Sequence, residues 1–391
     1  MASFVALIFI IFFGEMASAP GRSLLPVYAE AQLHRPPQFT SLLLSAQLLF
    51  SGVAAFTGGG LSDSLGQRRV MILGGSGLLV VGLVFLARSP LLLVLMWLYI
   101  GLALGLHSLG RQTYIMAVVP SRFLATATAI GFTGLTLGSA LGNLLAAPLV
   151  DRYGFGRLGI VSVVLAAAVI VAVNLALPDV RGTRQRSQQS FAGYGAVLRR
   201  PGIFLIAGMR LVATAYWGAA TMLIPLLIYR LARVPSAAAY YSTVMFLFAS
   251  GCQLLAGRIL DRHGCRWPVA LLTALLGGAS VLTAFYSHSL AGLYAWGILG
   301  AGIAWALATA TPSIISALVP KEEHGRALGV TQVFTSVGVM LGTQAAGWLA
   351  NSDPGLVFVG AGLANLAMVV CALALNRHLR PNGWCEDPYR R

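Results

Sequence analysis

Apolar runs of about 20 residues or more follow one another along the chain, and only short polar hinges separate them. A run of that length is what an α-helix needs to cross a bilayer, where every backbone group must be hydrogen-bonded within the segment. Charged residues make up 9% of the 391 residues, against about 25% in a typical soluble domain. The apolar side chains must therefore face lipid, and the sequence predicts an all-α polytopic membrane protein.

The runs predict twelve transmembrane spans. They cover about residues 3–28, 39–62, 70–87, 91–118, 125–150, 158–177, 202–229, 237–260, 268–286, 290–318, 325–350 and 356–376. A polar stretch rich in arginine, glutamine, serine and glycine interrupts the pattern after the sixth span. We expect an N-terminal six-helix bundle over 1–178, a cytoplasmic linker over 179–200, a C-terminal six-helix bundle over 201–377 and a cytoplasmic tail over 378–391.

The first span has a second interpretation as a signal peptide. Ala17, Ser18 and Ala19 form an A-x-A cleavage pattern after an apolar stretch. No basic residues precede that stretch, and its removal would leave an odd number of spans. We therefore favour a transmembrane span.

The formal net charge of +15 comes almost entirely from arginine. Most of these arginines fall in the hinges on one side of the predicted spans, in the linker and in the tail. The positive-inside rule then places both termini in the cytoplasm and the protein in the cell membrane. Because the charges follow the spans, we expect the lipid bilayer as a partner and no nucleic acid.

Several other classes of protein lack support in the sequence. The four cysteines, Cys252, Cys265, Cys371 and Cys385, show no C-x-x-C spacing, so we expect neither a disulfide framework nor a metal site. There is no G-x-x-x-x-G-K-S/T motif for ATP hydrolysis. There is also no H-E-x-x-H, nucleophile elbow or pair of carboxylates that would indicate an enzyme. We expect no cofactor.

One polar hinge occurs twice, since residues 59–69 and 257–266 both contain G-x-x-x-D-x-x-G-x-R between two predicted spans. The first glycine lets a helix approach its neighbour closely, and the second permits a tight reversal. The arginine keeps the hinge on the cytoplasmic side. A weak internal repeat is typical of transporters built from two related bundles. Further pairs repeat at a nearly constant offset, namely Gly138 with Gly338 and Gly142 with Gly342.

This hinge resembles the signature loop of the major facilitator superfamily, which lies between the second and third helices and again between the eighth and ninth. The resemblance implies twelve transmembrane helices in two pseudo-symmetric six-helix bundles that work by alternating access, and we expect a monomer. The first copy matches at Gly59, Leu61, Asp63, Gly66 and Arg68, and the second at Gly257, Asp261, Arg262, Gly264 and Arg266.

The resemblance also implies a conformational switch at the two hinges. Asp63 would meet the N-terminus of the eleventh span, where the helix dipole favours an anion. The residues assigned to this switch are Gly59, Asp63, Gly66, Arg68, Asp261, Gly264 and Arg266.

Four charged residues lie clearly inside predicted spans and away from the hinges, where charges mark functional positions. They are Glu15 and Arg22 on the first span, Arg111 on the fourth and Arg210 on the seventh. By the resemblance, these spans line a central cavity. Glu15 is expected to be the acid that couples transport to protons or recognises a cation, and His107 a proton relay. The alternatives are a static ion pair of Glu15 with Arg22 or Arg111, and a structural histidine.

Candidate substrate-binding residues surround these charges. An excess of arginine suits an anionic or zwitterionic group, and an arginine beside tryptophan suits an amphipathic ligand. Arg111 shares a helix face with His107 and Tyr114, and Arg210 shares one with Trp217. The predicted set is Arg22, Arg111, Tyr114, Arg210, Trp217 and Trp305, the last on the tenth span.

The fifth span carries glycines that allow close packing of helices, at Gly134, Gly138 and Gly142. Their spacing resembles the antiporter motif of drug exporters. Ser139 and Asn143 stand where that motif has proline and glycine. Trp97 stands where the fourth span of exporters has an arginine.

We therefore predict a secondary transporter of a small-molecule substrate, coupled to protons. The first interpretation is export of amphipathic organic molecules, similar to the twelve-helix drug:proton antiporters. The alternative is a transporter of an anionic or lipid-like metabolite. A receptor or scaffold on the same fold and a membrane enzyme are the remaining, less favoured classes.

Overall fold

The computed structural model describes residues 2–119, 124–178, 200–263, 266–318 and 324–378, and these residues are helical with no β-strand. Twelve α-helices follow one another. They are α1 Ala2–Ser23, α2 Leu25–Ala31, α3 Pro37–Leu65, α4 Gln67–Leu83, α5 Pro90–Val118, α6 Leu124–Ala176, α7 Pro201–Ala232, α8 Pro235–His263, α9 Arg266–Phe285, α10 Leu290–Leu318, α11 His324–Leu349 and α12 Pro354–His378. A short 3₁₀ turn, Val84–Leu86, extends α4.

Two of the predicted spans differ from single straight helices. The first span is divided into α1 and α2 at Leu24, with Pro20 inside α1 and Pro26 in the first turn of α2. The fifth and sixth spans are both contained in α6, which turns at Gly154. Gly154 has φ 76° and ψ 173°, a conformation that favours glycine because a side chain there would be strained.

Nine helical segments among the described residues are long and apolar enough to cross a membrane. One of them, Ile130–Ala176, covers most of the fifth and sixth predicted spans. The helices outside this set are α2, which has only seven residues, and α3 and α11, which are rich in glycine, serine, threonine and glutamine. The all-helical, twelve-span architecture predicted from the sequence is confirmed.

The chain forms two compact units. The first contains Met1–Ser187 together with Ile228–Leu247, and the second contains Gln188–Leu227 together with Phe248–Arg391. The end of α7 and the first half of α8 therefore pack with the N-terminal helices. The boundaries expected from the order of the spans place residues 228–247 in the C-terminal bundle, whereas in the structure they belong to the first unit.

In the first unit, α1 packs along the glycine face of α6. A Cβ atom added to Gly138 would overlap the carbonyl oxygen of Phe12, and one added to Gly142 would overlap that of Met16. Gly134 is less tightly packed, with Ile8 Cγ2 at 3.6 Å from the same constructed position. The glycines thus allow the two backbones to touch.

The second unit repeats this packing between α7 and α11. A Cβ atom on Gly338 would overlap the carbonyl oxygen of Leu211, and one on Gly342 would overlap that of Ala215. The internal repeat found in the sequence is therefore also present in the packing, since the contacts of Gly138 and Gly142 with α1 correspond to those of Gly338 and Gly342 with α7.

Candidate functional site

Glu15 forms an ion pair with Arg22 on the same helix. The residues are seven positions apart, which places them two turns apart on one face of α1. Arg22 Nη2 donates to Glu15 Oε2 and lies 3.4 Å from Ser18 Oγ. The side chain of Arg22 is 37% exposed and that of Glu15 is 14% exposed, so the carboxylate is the more deeply placed partner.

A second arginine approaches the same carboxylate from α5. Arg111 Nη1 lies 3.6 Å from Glu15 Oε1, and the side chain of Arg111 is also only 14% exposed. Glu15 thus forms ion pairs with two guanidinium groups, one on its own helix α1 and one on α5. With Glu15 ionised, this cluster of Glu15, Arg22 and Arg111 carries one net positive charge.

His107 lies one turn before Arg111 and is buried. Its Nδ1 atom is 3.2 Å from the carbonyl oxygen of Met71 on α4. An Nδ1–H group that donates to this carbonyl fixes the ring against α4. The backbone of His107 is packed so closely on Gly74 that a Cβ atom there would overlap it.

Tyr114, which the helix face predicts next to Arg111, is completely buried. It belongs to an apolar cluster with Leu7, Ile10 and Ile11 of α1 and Met71 of α4. Tyr114 could touch a substrate only if this cluster opened.

The second unit holds the other candidate residues. Trp217 of α7 and Trp305 of α10 meet edge to face, with ring centroids 5.5 Å apart and an interplanar angle of 79°. Trp305 Nε1 is buried and has no hydrogen-bond partner among the described residues. Arg210 is half-buried, and no described carboxylate forms an ion pair with it. This unit therefore presents a cation, an aromatic pair and an unused N–H donor.

At the first hinge, Gly66 makes the turn between α3 and α4 with φ 89°, which is the reversal predicted for it. Arg68 Nη1 lies 3.3 Å from the carbonyl oxygens of both Asn174 and Leu177, so it caps the C-terminal end of α6. Gly59 and Asp63 lie within α3. The side chain of Asp63 is outside the described part of the structure, and its contact with the eleventh span stays a prediction.

The second hinge is described only in part. Asp261 lies in α8 and Arg266 begins α9, without described side chains, and Gly264 is outside the described residues. A Cβ atom on Gly257 would have no described atom within 4 Å. The close helix approach expected for this glycine stays a prediction.

Sequence reasoning did not assign a role to Asn143 beyond its departure from the exporter motif. Asn143 is completely buried, its Oδ1 accepts a hydrogen bond from Ser23, and its Nδ2 donates to the Ser139 carbonyl oxygen at 2.8 Å. A polar residue on a face of small residues was the available signal. Trp97, at the position of the exporters' arginine, is a fully buried core residue packed with Leu25 and Leu93.

A second group missed by sequence reasoning lies at the end of α2. Arg230 Nε and Nη2 donate to the two oxygens of Glu30 at 2.9 and 2.6 Å. Asp151 Oδ1 accepts from the backbone N–H of Ser236 at 3.0 Å and so caps the N-terminus of α8. The available signal was weak: Glu30 and Arg230 lie just after the equivalent first and seventh predicted spans.

The fold, the internal repeat and the charges buried within its spans define a secondary transporter. The sequence model of the Major Facilitator Superfamily matches residues 4–249 and 211–390, and the chain belongs to that superfamily. It is therefore a transport protein embedded in a membrane, and not an enzyme.

Two relatives illustrate what the chain is similar to. It is 28% identical over 169 residues to the gallate transporter of Pseudomonas putida, a match that covers 43% of this chain and 38% of the relative. It is 24% identical over 373 residues to the uncharacterised MFS-type transporter YhhS of Escherichia coli strain K12, covering 89% and 86% of the two chains.

Solved structures with the same fold include a POT family transporter in complex with 5-aminolevulinic acid, with a TM-score of 0.79, 13% identity and 96% of each chain covered. The nucleoside transporter NupG has a TM-score of 0.73 and 16% identity, with 95% of this chain and 99% of that chain covered. At such identities these structures support the fold alone.

Proposed function

We propose that the protein is a proton-coupled transporter of small organic anions, with aromatic carboxylates as the favoured class. The observation that carries the proposal is the balance of charge within the spans, where the sequence places three arginines, Arg22, Arg111 and Arg210, and one carboxylate, Glu15. Glu15 is paired with Arg22 and Arg111. Charges are costly inside a bilayer unless they are paired. An anionic substrate would neutralise part of this excess, whereas a cation would add to it.

The residues of the second unit suit an anion that carries a ring. Trp217 and Trp305 pack edge to face. An aromatic ring of the substrate can add to this pair by stacking or by a further edge-to-face contact. The Nε1–H of Trp305, for which the described residues supply no acceptor, can donate to an oxygen of the substrate. The guanidinium of Arg210 can bind a carboxylate with two parallel hydrogen bonds. The partial similarity to a gallate transporter points to the same chemistry, since gallate is an aromatic carboxylate.

Coupling follows from competition at Glu15. When Glu15 is ionised, it occupies both Arg22 and Arg111. When it takes up a proton, these arginines lose their partner and become available to the substrate anion. Proton and anion then bind together, so the same carboxylate that would give antiport with a cation gives symport with an anion.

Proton-coupled export of amphipathic molecules or drugs remains the second candidate. It is supported by the glycine face of α6, on which Gly138 and Gly142 touch α1 in the manner that the exporter motif implies. In this case the substrate would be a cation that competes with the proton for Glu15. The two candidates therefore predict opposite directions of substrate movement in one proton gradient.

The remaining predictions complete the proposal. We place both termini in the cytoplasm, from the distribution of arginine, and treat the protein as a monomer in the cell membrane. Asp63 and the other hinge residues keep their proposed role in switching, and His107 and Tyr114 their proposed roles at the site.

The test uses proteoliposomes that contain the full chain, with an imposed pH gradient. Radiolabelled gallate and 4-hydroxybenzoate should accumulate when the outside is acidic, whereas a cationic dye such as ethidium should not respond. Arg210→Ala should abolish accumulation, and Arg157→Ala, a change at an exposed arginine stacked on Tyr153, should leave it intact. Movement of ethidium against the proton gradient, without any anion uptake, would favour the exporter instead.

A further inference from the structure

A hydrogen bond joins α1 to α6 immediately beside the charged cluster. Ser23 is the last residue of α1 and follows Arg22 directly, and its hydroxyl donates to Asn143 Oδ1. The same hydroxyl lies 3.1 Å from the carbonyl oxygen of Ala19, so its single proton can serve only one of the two acceptors fully. Asn143 is completely buried, and Ser23 is the donor that satisfies its oxygen.

This bond lies where the first span is least supported by its own backbone. α1 ends at Ser23 and α2 begins at Leu25. Pro20 has no N–H to donate to the carbonyl of Met16, and Pro26 has none for that of Arg22. With two backbone hydrogen bonds missing around the break, the bond from Ser23 to the neighbouring helix restrains the end of α1 in addition to the close helix packing.

We propose that Ser23 and Asn143 are positioning residues that hold Arg22 against Glu15 and thereby set how readily Glu15 takes up a proton. The proposal rests on the coupling role proposed above for Glu15. It gives a reason for the departure of α6 from the exporter motif, because a glycine at position 143 could not accept the hydrogen bond.

Of the charged groups around Glu15, only Arg22 depends on the Ser23–Asn143 hydrogen bond. The titratable groups that act on the Glu15 carboxylate are Arg22 on its own helix and Arg111 and His107 of α5. Arg111 and His107 are held by a different helix, so loss of the Ser23–Asn143 bond should release only Arg22. Glu15 would then keep one of its two guanidinium partners.

The internal repeat supplies a matched control. The contact of Gly138 with Phe12 is repeated by Gly338 with Leu211, which places Thr343 at the position of Asn143 and Thr214 at the position of Glu15. The hydroxyl of Thr343 also makes a contact between helices, at 3.3 Å from the carbonyl oxygen of Gly218. Thr343→Ala therefore removes a similar contact in the second unit, where Thr214 replaces the carboxylate.

The experiment follows the reaction of Glu15 with dicyclohexylcarbodiimide, which modifies protonated carboxyl groups in membranes. Full-length protein in proteoliposomes is treated over a series of pH values, and the modified peptide is quantified by mass spectrometry. Asn143→Ala should move the midpoint of modification upward by about one pH unit, because withdrawal of an adjacent cation favours the protonated carboxyl group. Ser23→Ala, a milder change at a half-buried residue, should move it in the same direction.

Two further variants decide whether the effect passes through Arg22. Thr343→Ala should leave the midpoint unchanged. In an Arg22→Gln background, which itself raises the midpoint, Asn143→Ala should add nothing. A midpoint in Asn143→Ala and Ser23→Ala equal to that of the parent protein would overturn the proposal, as would an equal additional shift in the Arg22→Gln background.

The same measurements distinguish this proposal from the function on which it rests. If Glu15→Gln leaves the pH dependence of transport unchanged, the coupling role fails, and with it the functional meaning of the bond. If Glu15→Gln abolishes that dependence and Asn143→Ala leaves the modification profile unaltered, the coupling role stands and only the positioning role fails.

Discussion

Arg230 holds Glu30 through two hydrogen bonds, from Nε at 2.9 Å and from Nη2 at 2.6 Å, each to a different carboxylate oxygen. The pair connects the C-terminal end of α7 to α2. Beside it, Ala238 and Ala239 of α8 are fully buried in an apolar cluster with Tyr28. The end of α7 and α2 are thus joined by an ion pair that lies next to an apolar cluster.

Neutralising this pair should reduce stability modestly. Its side chains are 28% and 27% exposed, so solvent screens the interaction, and a loss of about 0.5–1 kcal/mol is expected for Arg230→Gln. Thermal unfolding in detergent measures it. Arg152→Gln, at an exposed arginine next to Asp151, is the control and should leave the midpoint unchanged.

A charge exchange gives a stricter test of the same contact. Glu30→Arg alone places two cations together and should destabilise the protein more than Arg230→Gln does. Combined with Arg230→Glu, it should recover most of the lost stability. No recovery in the double variant would mean that the pair does not contribute as the geometry indicates.

Filling the glycine face of α6 should be far more harmful than neutralising an ion pair. In Gly138→Ala, the new methyl group meets the backbone oxygen of Phe12, and a backbone cannot move aside as a side chain can. The helices must separate, at an expected cost of about 1–3 kcal/mol.

Gly52→Ala is the matched control for this substitution, because a Cβ atom at Gly52 has no described atom within 4 Å. Thermal unfolding should show Gly52→Ala at or above the parent protein and Gly138→Ala clearly below it. Similar midpoints for both variants would contradict close backbone contact between α1 and α6.

The fold was predictable because the bilayer leaves few solutions to a chain of apolar runs. The repeat was predictable as well, since glycines such as Gly138 and Gly338 must recur wherever two backbones touch. Glu15 and Arg22 could be paired from sequence because a separation of seven residues is two turns of one helix.

Contacts between helices were not predictable in the same way. Nothing in the periodicity of α5 distinguishes Arg111, which reaches Glu15, from Tyr114, which is buried among Leu7 and Ile10. The partner of Asn143 is 120 residues away along the chain. Such pairs depend on how two helices are rotated against each other, which a single sequence does not specify.

The indole N–H of Trp305 should contribute to substrate binding separately from its ring. Trp305→Phe keeps aromatic surface against Trp217 but removes Nε1–H, which has no hydrogen-bond partner in the part of the chain that the structure describes. The affinity for gallate should fall about fivefold, in line with about 1 kcal/mol for one hydrogen bond. Trp97→Phe is not a suitable control, because that residue is buried in the core.

Binding of gallate to Trp305→Phe and to Trp305→Ala can be compared by the quenching of tryptophan fluorescence. The alanine variant should lose considerably more affinity, since both the ring and the donor are removed. Unchanged affinity in the phenylalanine variant would assign the residue to packing alone.

Removing the charge of Glu15 should uncouple transport from protons without abolishing exchange. Glu15→Gln imitates the protonated carboxyl group and leaves Arg22 and Arg111 available at every pH. With an acidic exterior, the parent protein should accumulate gallate, whereas the variant should only equilibrate it. Exchange of labelled for unlabelled gallate, measured without a gradient, should continue in the variant at a rate that no longer depends on pH. Arg111→Gln is the informative comparison, because it removes a substrate partner rather than the proton carrier, and exchange itself should then fall at least about tenfold. Retention of gradient-driven accumulation by Glu15→Gln would transfer the coupling role to another group.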